Sequence, residues 1–188
     1  MEFVKNKNIK LAIISPSKEL KSETFITAHK ELLPFNSFFY YDGFVPTKLN
    51  DVGSLIKSGK YNFLKQVVSK KIISGKEKLS YYEFALLQSF REQKINIVLA
   101  EYGPTGASVC NICKLLNTPL IVYFHGYDAS VKQIINQYDY EALFKCAETV
   151  FSVSKIMTSK LVSIGCDKSK IVLNPCVPSD DFLKVSSW

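Results

Sequence analysis

The chain is expected to be an α/β protein built on a doubly wound parallel sheet, and three observations predict this. The run Leu120-Ile121-Val122-Tyr123-Phe124 is apolar throughout, between the turn Asn117-Thr118-Pro119 and the break His125-Gly126. A strand buried on both faces reads this way, and parallel sheets are the usual home of such strands. From residue 95 to 173, short apolar runs alternate with helix-length stretches, as right-handed crossover connections require. The composition, 47% hydrophobic and 22% charged over 188 residues, suits one globular unit with a sizeable core.

Residues 8–15, Asn-Ile-Lys-Leu-Ala-Ile-Ile-Ser, form the first predicted strand, ended by Pro16. Ser22 then serves as a helix N-cap. Glu23 in the first turn complements the helix dipole, and Phe25, Ile26, Leu32 and Leu33 supply apolar positions. A second strand is expected over 36–41, followed by a turn-rich, lysine-rich region and a helix over 64–73. Ser80 with Glu83 three residues on makes a capping box that opens a helix to about residue 93. Strands over 95–100, 120–124, 149–153 and 170–173 then alternate with helices over 104–116, 138–146 and 154–164, the last closed by Gly165. There is no internal repeat, and residues 1–188 are expected to form a single domain.

No apolar run approaches the ~20 residues of a membrane-spanning helix, and Met1 to Lys7 lack the apolar core of a secretory leader. The expected location is therefore the cytoplasm. Five cysteines, an odd set, argue for reduced thiols. Cys110 and Cys113 form a lone C-x-x-C within a predicted helix, where core packing is the expected role rather than metal or redox chemistry.

The net charge of +7 concentrates in Lys57, Lys60, Lys65, Lys70, Lys71, Lys76 and Lys78, with Glu77 the only acid among them. Leu64, Val67, Val68 and Ile72 recur between them at helical spacing. Two readings stand for this segment. In one, Lys65, Lys70 and Lys71 lie on an anionic membrane surface, each basic group contributing ~1 kcal/mol. In the other, they are a solvated face over a core-facing stripe. No nucleic-acid motif accompanies the charge, so nucleic acid is not an expected partner.

In such a sheet, ligands bind beyond the carboxyl ends of the strands. Ser15 and Ser17, then Glu101, Tyr102, Gly103, Thr105 and Gly106, then His125, Gly126, Tyr127 and Asp128, then Ser152, Ser154 and Asn174 all follow strand ends on that rim. Hydroxyls and acids, with glycines that let backbone approach a ligand, suit a many-hydroxyl substrate. The loop from Glu101 to Gly106 has neither the G-x-G-x-x-G spacing of a dinucleotide site nor a phosphate-binding lysine, and no G-x-S-x-G elbow occurs. With histidine only at His29 and His125, little material exists for a metal centre. His125 either anchors its own loop or donates a hydrogen bond to a sugar hydroxyl. Asp128 either accepts a proton and binds hydroxyls or caps the following turn. These two are the candidate catalytic residues.

Four segments carry a family resemblance: Ser22-Glu23-Thr24-Phe25-Ile26; Phe124-His125-Gly126-Tyr127-Asp128; Thr149-Val150-Phe151-Ser152-Val153-Ser154 with Leu161 and Gly165; and Lys170-Ile171-Val172-Leu173-Asn174-Pro175 with Phe182. In order and spacing the chain resembles the N-terminal, acceptor-side domain of retaining GT-B glycosyltransferases of family four. Among these it is most similar to bacterial enzymes that assemble capsular, O-antigen or colanic-acid-like polysaccharides. The resemblance implies one Rossmann-like half of a GT-B fold, with chemistry in the cleft against a second domain that binds the nucleotide-sugar donor. It further implies His125 facing the donor sugar; Ser15, Ser22, Glu23, Thr24, Glu101, Tyr102, Thr105, Gly126 and Ser154 on the side of a lipid-linked or saccharide acceptor; and metal-independent chemistry with no cofactor in this domain. The chain departs from the family at Cys176-Val177-Pro178, where a glycine, a valine and an acid are usual, and the donor domain is expected to lie outside this sequence or in a separate subunit. Alone, the fragment is expected to be inactive, and a peripheral place on the inner face of the membrane is one expected location beside the cytoplasm. The competing reading is a non-catalytic module that binds carbohydrate or a lipid carrier. A flavodoxin-like or nucleotide-binding domain is disfavoured because no cofactor fingerprint is present.

Overall fold

A computed structural model describes residues 6–18, 24–56 and 79–175. Ser22, Glu23, Lys65, Lys70, Lys71 and the expected helix over 64–73 lie outside the described residues.

Strands β1 (Asn6–Ile14), β2 (Phe35–Tyr41), β5 (Ile97–Glu101), β6 (Leu120–Phe124), β7 (Thr149–Ser152) and β8 (Ile171–Leu173) pair in parallel. Two short strands, β3 (Lys48–Leu49) and β4 (Gly53–Ser54), extend the β2 edge antiparallel, so the order is β4-β3-β2-β1-β5-β6-β7-β8. The antiparallel edge departs from the purely parallel expectation, because strands of two residues show no periodicity. The chain runs outward from β1 to β2 and then returns to β5 on the other side of β1. That reversal makes the junction of β1 and β5 the topological switch point, where ligands collect at carboxyl ends.

Alternation along the strands assigns the two faces. Ala12, Ile14, Val98, Ala100, Leu120, Val122 and Phe124 point into the larger core. There they meet Leu86, Leu87 and Phe90 of α2 (Tyr81–Gln93), Val109 and Ile112 of α3 (Gly103–Leu116), Leu143 and Phe144 of α6 (Tyr140–Cys146), and Leu161 of α7 (Lys155–Ser163). The intervening residues Leu11, Ile13 and Leu99 point the other way, onto Ile26 of α1 (Thr24–Leu32). Both faces are thus covered, which is why these strands read as continuous apolar runs. A fully buried side chain such as Phe124 or Leu143 stabilises the fold by about 1.5–3 kcal/mol.

Local signals fall where the sequence places them. Ser80 Oγ accepts from Glu83 N at 3.2 Å while Glu83 Oε2 accepts from Ser80 N at 2.7 Å, closing the capping box. Ser154 caps α7 through Met157 N at 3.1 Å. The helix expected over 138–146 begins two residues later, at Tyr140, with Asp139 as its cap. Two helices too short for a legible period, α4 (Tyr127–Ser130) and α5 (Lys132–Gln137), fill the connection after β6. Cys110 and Cys113 are buried where α3 meets α6, and the Cys110 thiol donates to Ala142 O at 3.5 Å.

Candidate functional site

The last residue of β5 is Glu101, whose side chain has no solvent exposure. A carboxylate at that depth is costly unless its oxygens are filled by polar hydrogens. Here Oε1 lies 2.7 Å from Nδ1 of His29 on α1, and Oε2 lies 2.9 Å from Nε2 of His125 after β6. Burial pushes the Glu101 carboxyl up, but the bonds from His125 and His29 outweigh it and hold the group below its ordinary value. Glu101 is therefore an ionised bridge between the only two histidines of the chain.

The His125 ring is held on both faces. Phe25 stacks at 4.1 Å between centroids, Tyr123 stacks on it at 4.7 Å and within 5° of parallel, and Tyr102 leans in at 4.8 Å. Tyr102 has φ 76 and ψ 143, a combination that strains any residue with a Cβ. That backbone turn swings the chain from β5 directly into α3 while keeping the Tyr102 ring packed with the α1 face.

Asp128 organises the loop beneath. Its Oδ1 accepts from Gly126 N at 2.9 Å and His125 N at 3.0 Å, and its Oδ2 accepts from Gly103 N at 3.0 Å. Burial raises the Asp128 carboxyl above its ordinary value, and the three backbone N–H groups offset only part of that. One buried side chain thus ties the loop after β6 to the first turn of α3, where an acid is favoured by the helix dipole. Tyr140 Oη adds a bond to Asp128 O at 2.8 Å.

The expected rim residues separate into two layers. His125, Tyr102, Gly126, Glu101 and Asp128 form one connected group, and Ser15 lies beside Glu101 because Ile14 pairs with Ala100. Ser15, Glu101, Thr105 and Asp128 are fully buried, so they shape the rim from below and present no side-chain surface to an acceptor. Thr105 Oγ1 has no hydrogen-bond partner among the described residues. Asp128 occupies the capping role, with both oxygens filled by backbone. Ser154 stands further along, at the start of α7, and Thr24 opens α1. The glycines of the β5–α3 turn serve packing rather than ligand approach. A Cβ at Gly103 would stand 2.4 Å from Phe124 Cε1, and one at Gly106 would stand 2.8 Å from Val122 Cγ2.

Sequence reasoning missed His29. The signal was available: Phe25 and His29 are four apart and share a helix face, and a carboxylate ending a buried strand demands N–H partners.

Among the described residues no group of His, Cys, Asp and Glu could hold a metal ion, and no helix is long and apolar enough to cross a membrane. Cavities of about 300 Å³ lie elsewhere, at the β2–β3 edge beside Lys30 and Ser37 and beside Cys146 and Glu148. Neither is lined by His125, Glu101 or Asp128.

The sheet order, the helices on both faces and a polar site at the switch point define an α/β Rossmann-like domain. In structure it is similar to S. aureus MnaA, determined with UDP, at a TM-score of 0.52 and 15% identity over 88% of this chain and 43% of that one. It is likewise similar to the UDP-GlcNAc 2-epimerase of Methanocaldococcus jannaschii, at a TM-score of 0.51 and 12% identity over 88% and 45%. No known family profile matches the chain. By sequence its relatives are glycosyltransferases of bacterial polysaccharide biosynthesis. The chain is 25% identical over 85 residues to a protein of Escherichia coli K12 described as the colanic acid biosynthesis glycosyltransferase WcaL, covering 43% of this chain and 21% of that protein. It is 31% identical over 80 residues to the amylovoran biosynthesis glycosyltransferase AmsK of Erwinia amylovora, covering 40% and 20%. The matched segment therefore spans about a fifth of these relatives' length.

Proposed function

We propose that this chain is the acceptor-binding domain of a retaining glycosyltransferase that moves a sugar from a nucleotide sugar to a lipid-linked or saccharide acceptor in cell-surface polysaccharide synthesis. The observation that carries the reading is the relatedness to two polysaccharide glycosyltransferases. It is supported by a histidine held rigidly after β6, bonded to the carboxylate that ends β5 at the switch point of the sheet. His125 meets the sugar at the cleft, and Asp128 keeps its loop in shape. A second domain or subunit binds the nucleotide diphosphate, and no metal or cofactor is needed on this side. The protein works at the cytoplasmic face of the membrane, where Lys65, Lys70 and Lys71 contact anionic lipid.

The test joins this chain to its donor-binding partner domain, or uses the longer natural chain, and follows transfer from nucleotide sugars to a lipid-linked acceptor. Turnover that falls at least tenfold in His125→Ala, with the fold retained, is the expected result. Turnover absent from the complete protein, alongside saccharide binding by this domain, favours the non-catalytic binding module instead. Sedimentation with anionic vesicles tests the membrane contact: binding should weaken with salt and on replacing Lys65, Lys70 and Lys71 with Glu.

A further inference from the structure

Each oxygen of Glu101 faces a different histidine, and the group is sealed from solvent. An ionised carboxylate only accepts hydrogen bonds, so the proton in each contact belongs to the ring: Nδ1–H of His29 and Nε2–H of His125. In a neutral imidazole the second nitrogen then carries a lone pair. For His125 that atom is Nδ1, which makes no hydrogen bond among the described residues. The ring cannot readily turn to exchange its edges, because Phe25 and Tyr123 are stacked against its two faces.

We propose that Glu101 is a positioning residue that locks His125 as the Nε2–H tautomer, so that Nδ1 accepts a hydrogen bond from a ligand hydroxyl and disfavours phosphate oxygens. His29 is the second positioning residue. By holding Oε1 it keeps the carboxylate from rotating, which leaves Oε2 for His125 alone. The choice of ligand class follows from hydrogen-bond polarity and charge. A saccharide hydroxyl donates to Nδ1, whereas a phosphate dianion presents mainly acceptor oxygens to that lone pair and would place two negative charges near a buried carboxylate. That ligand assignment rests on the saccharide reading of the site given above; the tautomer assignment does not.

The measurement is long-range proton–nitrogen NMR on the uniformly ¹⁵N-labelled 188-residue chain, above the titration range of histidine. Only two histidine rings contribute, and His29→Gln assigns them by removing one. Each ring should appear as a single tautomer, His125 with its proton on Nε2 and His29 with its proton on Nδ1. In Glu101→Gln the carboxamide offers one acceptor and one donor, so one of the two histidines must change tautomer while the amide spectrum stays that of the folded chain. A purely structural Glu101 would leave both tautomers as they were. His125 carrying its proton on Nδ1, a mixture of tautomers in the unmodified chain, or no change in Glu101→Gln each overturns the lock. Two probes then test the ligand class, methyl α-glucoside and inorganic phosphate. A His125 Nδ1 resonance that moves with the glycoside and not with phosphate supports it; movement with phosphate, or none with the glycoside, overturns it. Failure of sugar transfer by the complete enzyme bears on the proposed function and leaves the tautomers standing.

Discussion

Glu101 at the end of β5 and Asp128 in the loop after β6 are both buried carboxylates of the same rim, yet their surroundings move them in opposite directions. Desolvation is the largest influence on each and raises both. What separates them is the partner. Glu101 accepts hydrogen bonds from two imidazole rings, and these outweigh its burial; Asp128 accepts from three backbone N–H groups, and these do not. The first arrangement sets the state of a neighbouring ring; the second holds backbone in place.

The largest effect that would break this contrast comes from removing Asp128. Asp128→Ala leaves the N–H groups of Gly103, His125 and Gly126 without their acceptor, at about 1–3 kcal/mol for each that water cannot reach. A loss of roughly 3 kcal/mol or more in urea unfolding is expected, with Asp128→Asn intermediate because one acceptor oxygen remains. A loss below ~1 kcal/mol would mean that the loop is held by something other than this side chain.

Acid unfolding gives the next largest effect, with opposite signs at the two sites. The folded Glu101 carboxyl titrates below its ordinary value of 4.5, so its contribution is present above that pH and is lost as the pH falls through the lower folded value. The Asp128 carboxyl titrates above its ordinary 3.8 in the fold, so protonation favours the folded state as the pH falls and partly offsets the loss from Glu101. Glu101→Gln should therefore flatten the acid side of the stability profile, and Asp128→Asn should steepen it. Chemical denaturation at a series of pH values measures both slopes, and equal slopes in the two variants would contradict the opposite shifts.

The smallest effect extends the contrast to thiols. Cys146 is lowered to about 7 by its hydrogen bond with Cys110, helped by Lys114 and Lys170, while burial pushes the Cys113 thiol up. Iodoacetamide near neutral pH should label Cys146 before Cys110 or Cys113, as peptide mass mapping would read. Equal labelling of the three would show that access rather than thiolate character governs this corner.

Much of the fold is legible in the sequence because its signals are local. The capping box of Ser80 and Glu83, the cap at Ser154 and the apolar run from Leu120 to Phe124 each involve neighbours within a few residues. The expected parallel order from β5 to β8 follows from the regular alternation, while β3, β4, α4 and α5 were illegible because they are too short to show a period. The placing of His125 on the carboxyl rim was also readable, since it depends only on where a strand ends. Gly103 and Gly106 sit in the tight turn from strand to helix, but the close neighbours that require glycine there, Phe124 and Val122, come from the next strand of the sheet and cannot be read from adjacent residues.

The sequence by itself determined that a parallel sheet would carry His125, Glu101 and Asp128 past its strand ends, because strand and helix periods are written in adjacent residues. Only the tertiary structure decided that Glu101 would join His125 to His29, 24 and 72 positions away, and that Asp128 would hold backbone rather than face a ligand. A buried carboxylate must find hydrogen-bond partners, but which ones lie within 3 Å depends on how the strands are ordered and how the first helix crosses the sheet.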